Sequence, residues 1–129
     1  MKWFVTENNK LHQYIITDRG WGNGYVLLPK NHPFYGMHYN SISVDVHGGL
    51  TYSSEFYSDD LTNWNIKTEG ITEEDIGKWC VGFDTSHYGD NLNRWPREKV
   101  EEKTILLFAQ LVIPMVKRNK LERILEETK

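Results

Sequence analysis

The sequence predicts an α+β fold, a small and mainly antiparallel sheet with a long C-terminal helix packed on one face. Three observations carry that expectation. Residues 41–47 and 78–84 alternate apolar and polar side chains, the two-residue period of a half-buried strand. Residues 100–112 repeat apolar side chains at helical spacing. The strand patterns come first and the helical pattern last, which segregates the two classes instead of alternating them. With 129 residues the chain reads as a single domain, 1–129, long enough to bury a core without covalent staples.

The elements follow in order. Residues 14–17 suggest a first short strand, with turns at 18–20 and 22–24. Residues 24–28 read as a buried strand that Pro29 ends, and 31–36 as a loop. In 41–47, Ile42, Val44 and Val46 share one side, and Ser43, Asp45 and His47 share the other. Gly48-Gly49 makes a turn, and 50–53 returns as the hairpin partner. Residues 57–76 are polar and read as loop, with a helical turn at 73–76. In 78–84, Trp79, Val81 and Phe83 oppose Cys80, Gly82 and Asp84. Pro96 suits the first helical position, and Glu98, Glu101 and Glu102 complement the helix dipole. Val100, Thr104, Leu107 and Leu111, with Ile105, Phe108 and Val112, form the apolar face. Pro114 is expected to end or kink this helix. Leu121, Ile124 and Leu125 mark a second short helix. The core therefore spans about 20–112, with 115–129 a helical extension.

Composition narrows the function classes. The net charge of −3 carries no phosphate-neutralising signature, so no nucleic-acid partner is expected. The single Cys80 permits no internal disulfide and fits a cytoplasmic setting. Residues 1–5 are too short for a signal peptide. The longest apolar run, 105–116, falls short of the roughly 20 residues a membrane span needs. That stripe serves the core or self-association and leaves room for a homodimer.

Two glycine-bearing stretches carry the site, 46–52 and 82–90. Each follows a strand pattern and places titratable groups on a tight turn, where a rigid scaffold can hold them. If the helix covers the side bearing Ile42, Val44 and Val46, Asp45 and His47 face the other way, and Asp84 can join them. His87 and Asp90 follow at three-residue spacings. His47, Asp84, His87 and Asp90 are thus the candidate catalytic set. Asp45, Gly48, Gly49, Thr51, Tyr52, Lys30 and His32 are the candidate ligand-binding set. Three chemistries stay open. A histidine can act as acid–base group, oriented by an aspartate. A divalent metal held by histidine and aspartate can activate water. Backbone N–H groups at Gly48, Gly49 and Gly89 can capture an anion without reaction. Each has a structural counterpart, since such groups also cap turns and satisfy buried polar atoms. Tyr25, Tyr35, Tyr52, Tyr88 and Trp21 could stack on a flat ring, though packing competes for them. His12 and His38 read as incidental.

Gly24-Tyr25-Val26 leading to Pro29 and His32-Pro33, then 46–52, then 79–84, His87 and Gly89-Asp90 before a long helix, form an ordered combination. Over about residues 20–112 it resembles a family of small phage and prophage proteins. Ser86 fits the small residues typical beside the second histidine, and Tyr88 is bulkier. The resemblance implies a phage origin and the host cytoplasm. Small phage proteins often act against host defence, and some on other folds bind or cleave nucleotide signals. The resulting expectation is action on a phosphorylated, nucleotide-like small molecule, with a lean to phosphodiester-type hydrolysis. The alternatives are a sequestering module for such a ligand and a protein–protein inhibitor.

Overall fold

The computed structural model describes residues 1–9 and 19–128. The strand expected at 14–17, the turn residue Asp18 and His12 lie outside the described residues. Strands β1 (Lys2–Glu7), β2 (Gly22–Leu28), β3 (Tyr52–Glu55) and β4 (Trp79–Phe83) form one antiparallel sheet in the order β1-β2-β4-β3. Helix α1 (Ser58–Asn63) and a short 3-10 turn (Glu73–Asp75) lie between β3 and β4. Helix α2 (Arg97–Glu127) follows β4. The α+β architecture is as expected. Among the described residues, no helix is long and apolar enough to cross a membrane.

The alternation in β4 divides two cores. Val81 and Phe83 join Val5, Val26 and Leu28 under α2. Cys80 joins Phe4, Leu27 and Phe56 on the opposite face. Helix α2 buries Val100, Thr104, Leu107 and Leu111, a stripe at spacings of four, three and four. Burying each of the three aliphatic side chains contributes about 1.5–3 kcal/mol. Ile105 falls outside that stripe and is exposed, so the buried face is narrower than the sequence suggested. Gly24 permits the contact, because a Cβ there would collide with Thr104 Oγ1 and the Phe83 ring.

The second face corrects a sequence expectation. It is not an open polar surface but is covered by residues 56–71, with Trp64 against Tyr25 (4.9 Å between ring centroids) and Tyr52 (5.5 Å). Tyr25 stacks on Phe4 at 5.1 Å. Burial pushes the Tyr25 and Tyr52 phenols and the Cys80 thiol up, which keeps all three neutral. On the loop crossing this face, Asp75 is buried and accepts from Lys78 Nζ (2.7 Å), the Thr72 N–H (2.9 Å) and Lys2 Nζ (3.0 Å).

Three further expectations are revised. Residues 1–5 read only as too short for a signal peptide, and residues 2–7 form the edge strand β1. Residues 42–46 join no ladder among the described residues, and 52–55 pairs with β4 instead of returning on 41–47. The partner of 42–46 is a side chain: Gln110 Oε1 accepts from the Asp45 N–H and its Nε2 donates to the Asp45 carbonyl, both at 2.8 Å. Ile42, Val44 and Val46 pack on the α2-side core, so the alternation reports burial against a helix-capped sheet, not a strand. Pro114 does not end the helix, which continues to Glu127 as one element. Proline removes one N–H and crowds the preceding turn. There the buried His32 Nε2 bonds the Leu111 carbonyl at 2.8 Å.

Candidate functional site

The register sets the site. Tyr52 pairs with Gly82, so the beginning of β3 lies beside the end of β4. The Thr51 N–H donates to the Gly82 carbonyl at 2.9 Å. The chain entering β3 and the chain leaving β4 thus emerge at one end of the sheet, and each makes a turn there. The Gly49 N–H closes onto the Val46 carbonyl at 2.9 Å, with Gly48 at φ +69°. The Asp90 N–H closes onto the His87 carbonyl at 2.9 Å, with Gly89 at φ +87°. Both turns have glycine at the third position with positive φ and a non-glycine residue before it, the type II arrangement. The second loop is anchored at both ends, by the Gly20 N–H on the Thr85 carbonyl (2.6 Å) and the Trp21 N–H on the Trp95 carbonyl (2.8 Å).

The two turns bring His47, His87 and Asp90 together. His47 Nε2 bonds both oxygens of Asp90, at 2.9 and 3.1 Å. Asp90 is only 4% exposed and also accepts the His87 N–H at 2.9 Å. That second bond fixes the carboxylate within its own turn. The His47 ring lies on Trp95 at 4.1 Å and meets the His87 ring edge-on at 5.3 Å. His87 Nε2 is sealed from solvent and makes no hydrogen bond among the described residues, although Asp84 Oδ1 stands 3.3 Å away. Asp84 Oδ1 accepts the Ser86 N–H at 3.0 Å, which turns the chain out of β4. Gly48 seals the pair of turns: a Cβ there would strike the His87 ring at Nε2. Among the described residues, no lysine or arginine pairs with Asp84 or Asp90.

His47 opens onto a groove of about 700 Å³ lined by Asp45, Trp95, Lys99, Lys103, Leu106, Ala109, Gln110 and Ile113. The lysines stand one turn apart on α2, with Lys99 Nζ 4.7 Å above the Trp95 ring. Below them the wall is apolar. A groove with two cations, an imidazole and an apolar strip accommodates an anion attached to a flat or apolar body. Trp95, Lys99, Lys103 and Gln110 were not anticipated. The signal for the helical ones is the spacing 99, 103, 106, 110 and 113, which sets one stripe beside the one that packs on the sheet.

The remaining candidates fall elsewhere. Asp45 is exposed on the groove rim, its backbone held by Gln110. The Gly49 N–H is used within its turn and is not offered to an anion. Thr51 and Tyr52 line a smaller cleft with Asp84, Arg19 and Asn23, on the other side of the site. Lys30 is exposed and is not part of the groove. His32 is 2% exposed: its Nδ1 accepts the Phe34 N–H at 2.9 Å and its Nε2–H donates to Leu111. Both nitrogens are taken, so His32 pins the helix and has none left for a ligand. Burial holds its imidazole below the usual histidine value. Tyr35 donates to the Gly77 carbonyl at 2.6 Å, and Trp21 lies beneath Arg97 at 5.3 Å. Tyr88 is 99% exposed at the tip of the second turn. No family model matches the chain, and neither does any curated protein or solved structure.

Proposed function

We propose that the protein binds a phosphorylated, nucleotide-like small molecule in the groove beside His47 and hydrolyses it. One observation supports this reading above the others. An imidazole oriented by a buried carboxylate stands at a groove that carries two lysines and an apolar strip. Lys99 and Lys103 suit a phosphate, and Leu106, Ala109 and Ile113 suit the face of a base. With Nε2–H donated to Asp90, His47 keeps Nδ1 basic and takes a proton from water. The water oxygen bonds to phosphorus, the ester oxygen leaves, and it recovers a proton from the imidazolium that Asp90 stabilises. His87 and Asp84 close the far side of the cluster. The phage resemblance supplies the setting, in which the substrate is a host defence signal.

The test is incubation of purified protein with cyclic and linear nucleotides, with and without divalent metal, followed by chromatography. Cleaved products are expected. A ligand that is depleted from solution yet released intact on denaturation identifies a sequestering module and ends the hydrolysis claim. A panel left intact and undepleted ends the reading altogether.

A second reading, a protein–protein inhibitor, has its own observation. Helix α2 exposes Ile113, Val116, Leu121, Ile124 and Leu125, each 46–57% exposed. Such a stripe suits a partner surface or a homodimer. Sedimentation velocity of the wild type and of Leu121→Lys/Ile124→Lys separates self-association through this stripe from its absence.

A further inference from the structure

We propose that His47, His87 and Asp90 bind one divalent cation of the zinc type. The ligand set stands on geometry alone, and only its part in hydrolysis rests on the proposed function. One ligating atom from each residue lies within 4.8 Å of the other two. Tetrahedral coordination with bonds of about 2.1 Å sets ligand atoms about 3.4 Å apart. The His47–Asp90 separation of 2.9 Å needs to open by about half an ångström, and the widest separation needs to close. Both are rotations of side chains on turns.

Two observations favour a cation there. His87 Nε2 is sealed from solvent and makes no hydrogen bond among the described residues, with only Asp84 Oδ1 at 3.3 Å beside it, a cost that a metal bond would remove. The carboxylates of Asp84 and Asp90 face only the two histidines and have no lysine or arginine partner among the described residues. Two imidazoles with one carboxylate select a borderline cation such as zinc over magnesium or calcium, which prefer all-oxygen sites. Three protein ligands leave a position for water, and His47 lies at the groove edge where that water meets a substrate. Such a cation would supply the activation of water, and His47 would serve as ligand instead of base. Lys99 and Lys103, on the same groove, would hold the phosphate.

The experiment is calorimetric titration of tag-free, chelator-stripped protein with zinc chloride. Cobalt chloride serves as a spectroscopic probe. One site is expected, with a visible cobalt band of tetrahedral intensity. His87→Ala and Asp90→Asn should each weaken binding by at least about tenfold, the loss seen even for outer partners of metal ligands. His38→Ala, an exposed histidine outside the cluster, should leave it unchanged. Circular dichroism checks that each variant is folded, and His87→Gln serves if His87→Ala is not. Absence of binding in the wild type, or undiminished binding in the folded His87 variant, overturns the site. The two proposals also separate. Zinc binding with an intact nucleotide panel keeps the metal site and ends the hydrolysis claim. Hydrolysis by the stripped protein in chelator keeps that claim and overturns the metal's part in it.

Discussion

Gly48 and Gly49 stand side by side with nearly the same backbone, at φ +69° and +76°, yet they face different surroundings. A Cβ at Gly48 strikes the His87 ring, whereas one at Gly49 meets nothing within 4 Å. Each alanine substitution forces an L-residue into the left-handed region, at a cost of about 1–2 kcal/mol. Gly48→Ala also pushes His87 out of the cluster. Thermal denaturation should therefore show a similar loss for Gly49→Ala and a somewhat larger one for Gly48→Ala. Turnover should fall at least about tenfold only in Gly48→Ala, because displacing a reacting group by an ångström costs more than that. Equal activity in the two variants would show that the approach of the turns is incidental. His32 acts through protonation instead. Burial lowers its folded pKa below the ordinary histidine value of about 6.5, so the unfolded chain binds the proton first. The contribution of the neutral ring is therefore full above about pH 6.5 and is lost as pH falls through the lowered value. Urea midpoints measured between about pH 5 and 8 should show this acid slope, and His32→Gln should flatten it.

Among the elements, the extended segment before the first turn depends most on a single contact. It has no strand partner among the described residues, and the Gln110 amide makes both hydrogen bonds that a neighbouring strand would make with Asp45. Gln110→Ala should cost about 1 kcal/mol, less than two buried bonds because the site is exposed. Amide exchange at Asp45 should speed up while exchange in β2 and β4 does not, and unchanged exchange at Asp45 would remove Gln110 from this role. The same segment shows how far a pattern can be read. Alternation of Ile42, Val44 and Val46 with Ser43 and Asp45 was legible, as was the burial it reports. The absence of a ladder was not, because the partner is one side chain 65 residues away. Helix α2 repeats the lesson at Pro114. Local chemistry predicts a break there, and a helix packed through Leu111 and bonded by His32 continues past it.

At the scale of the molecule, both faces of the sheet are covered, and the site lies at one end of it, where β3 begins and β4 finishes. The spacing of His47, Asp84, His87 and Asp90 made a shared site legible, since two glycine turns following apolar runs limit where those groups can go. The face on which they would meet was not legible. Strand parity assumed an open side of the sheet, but the aromatic residues of 56–71 close it, and their polar sequence gave little sign of a second core. The groove wall was also hidden. Nothing in the local sequence distinguishes Lys99 and Lys103 until α2 is placed beside the turn that carries His47. The account's central claim is that these parts, brought together by the register of two strands, form one reactive site. The most direct measurement compares nucleotide turnover by the wild type and by His47→Ala under identical conditions, with melting temperatures recorded for both. The account predicts turnover in the wild type and a loss of at least about a hundredfold in a folded variant, the scale of a missing acid–base group. Turnover that survives in folded His47→Ala would contradict it.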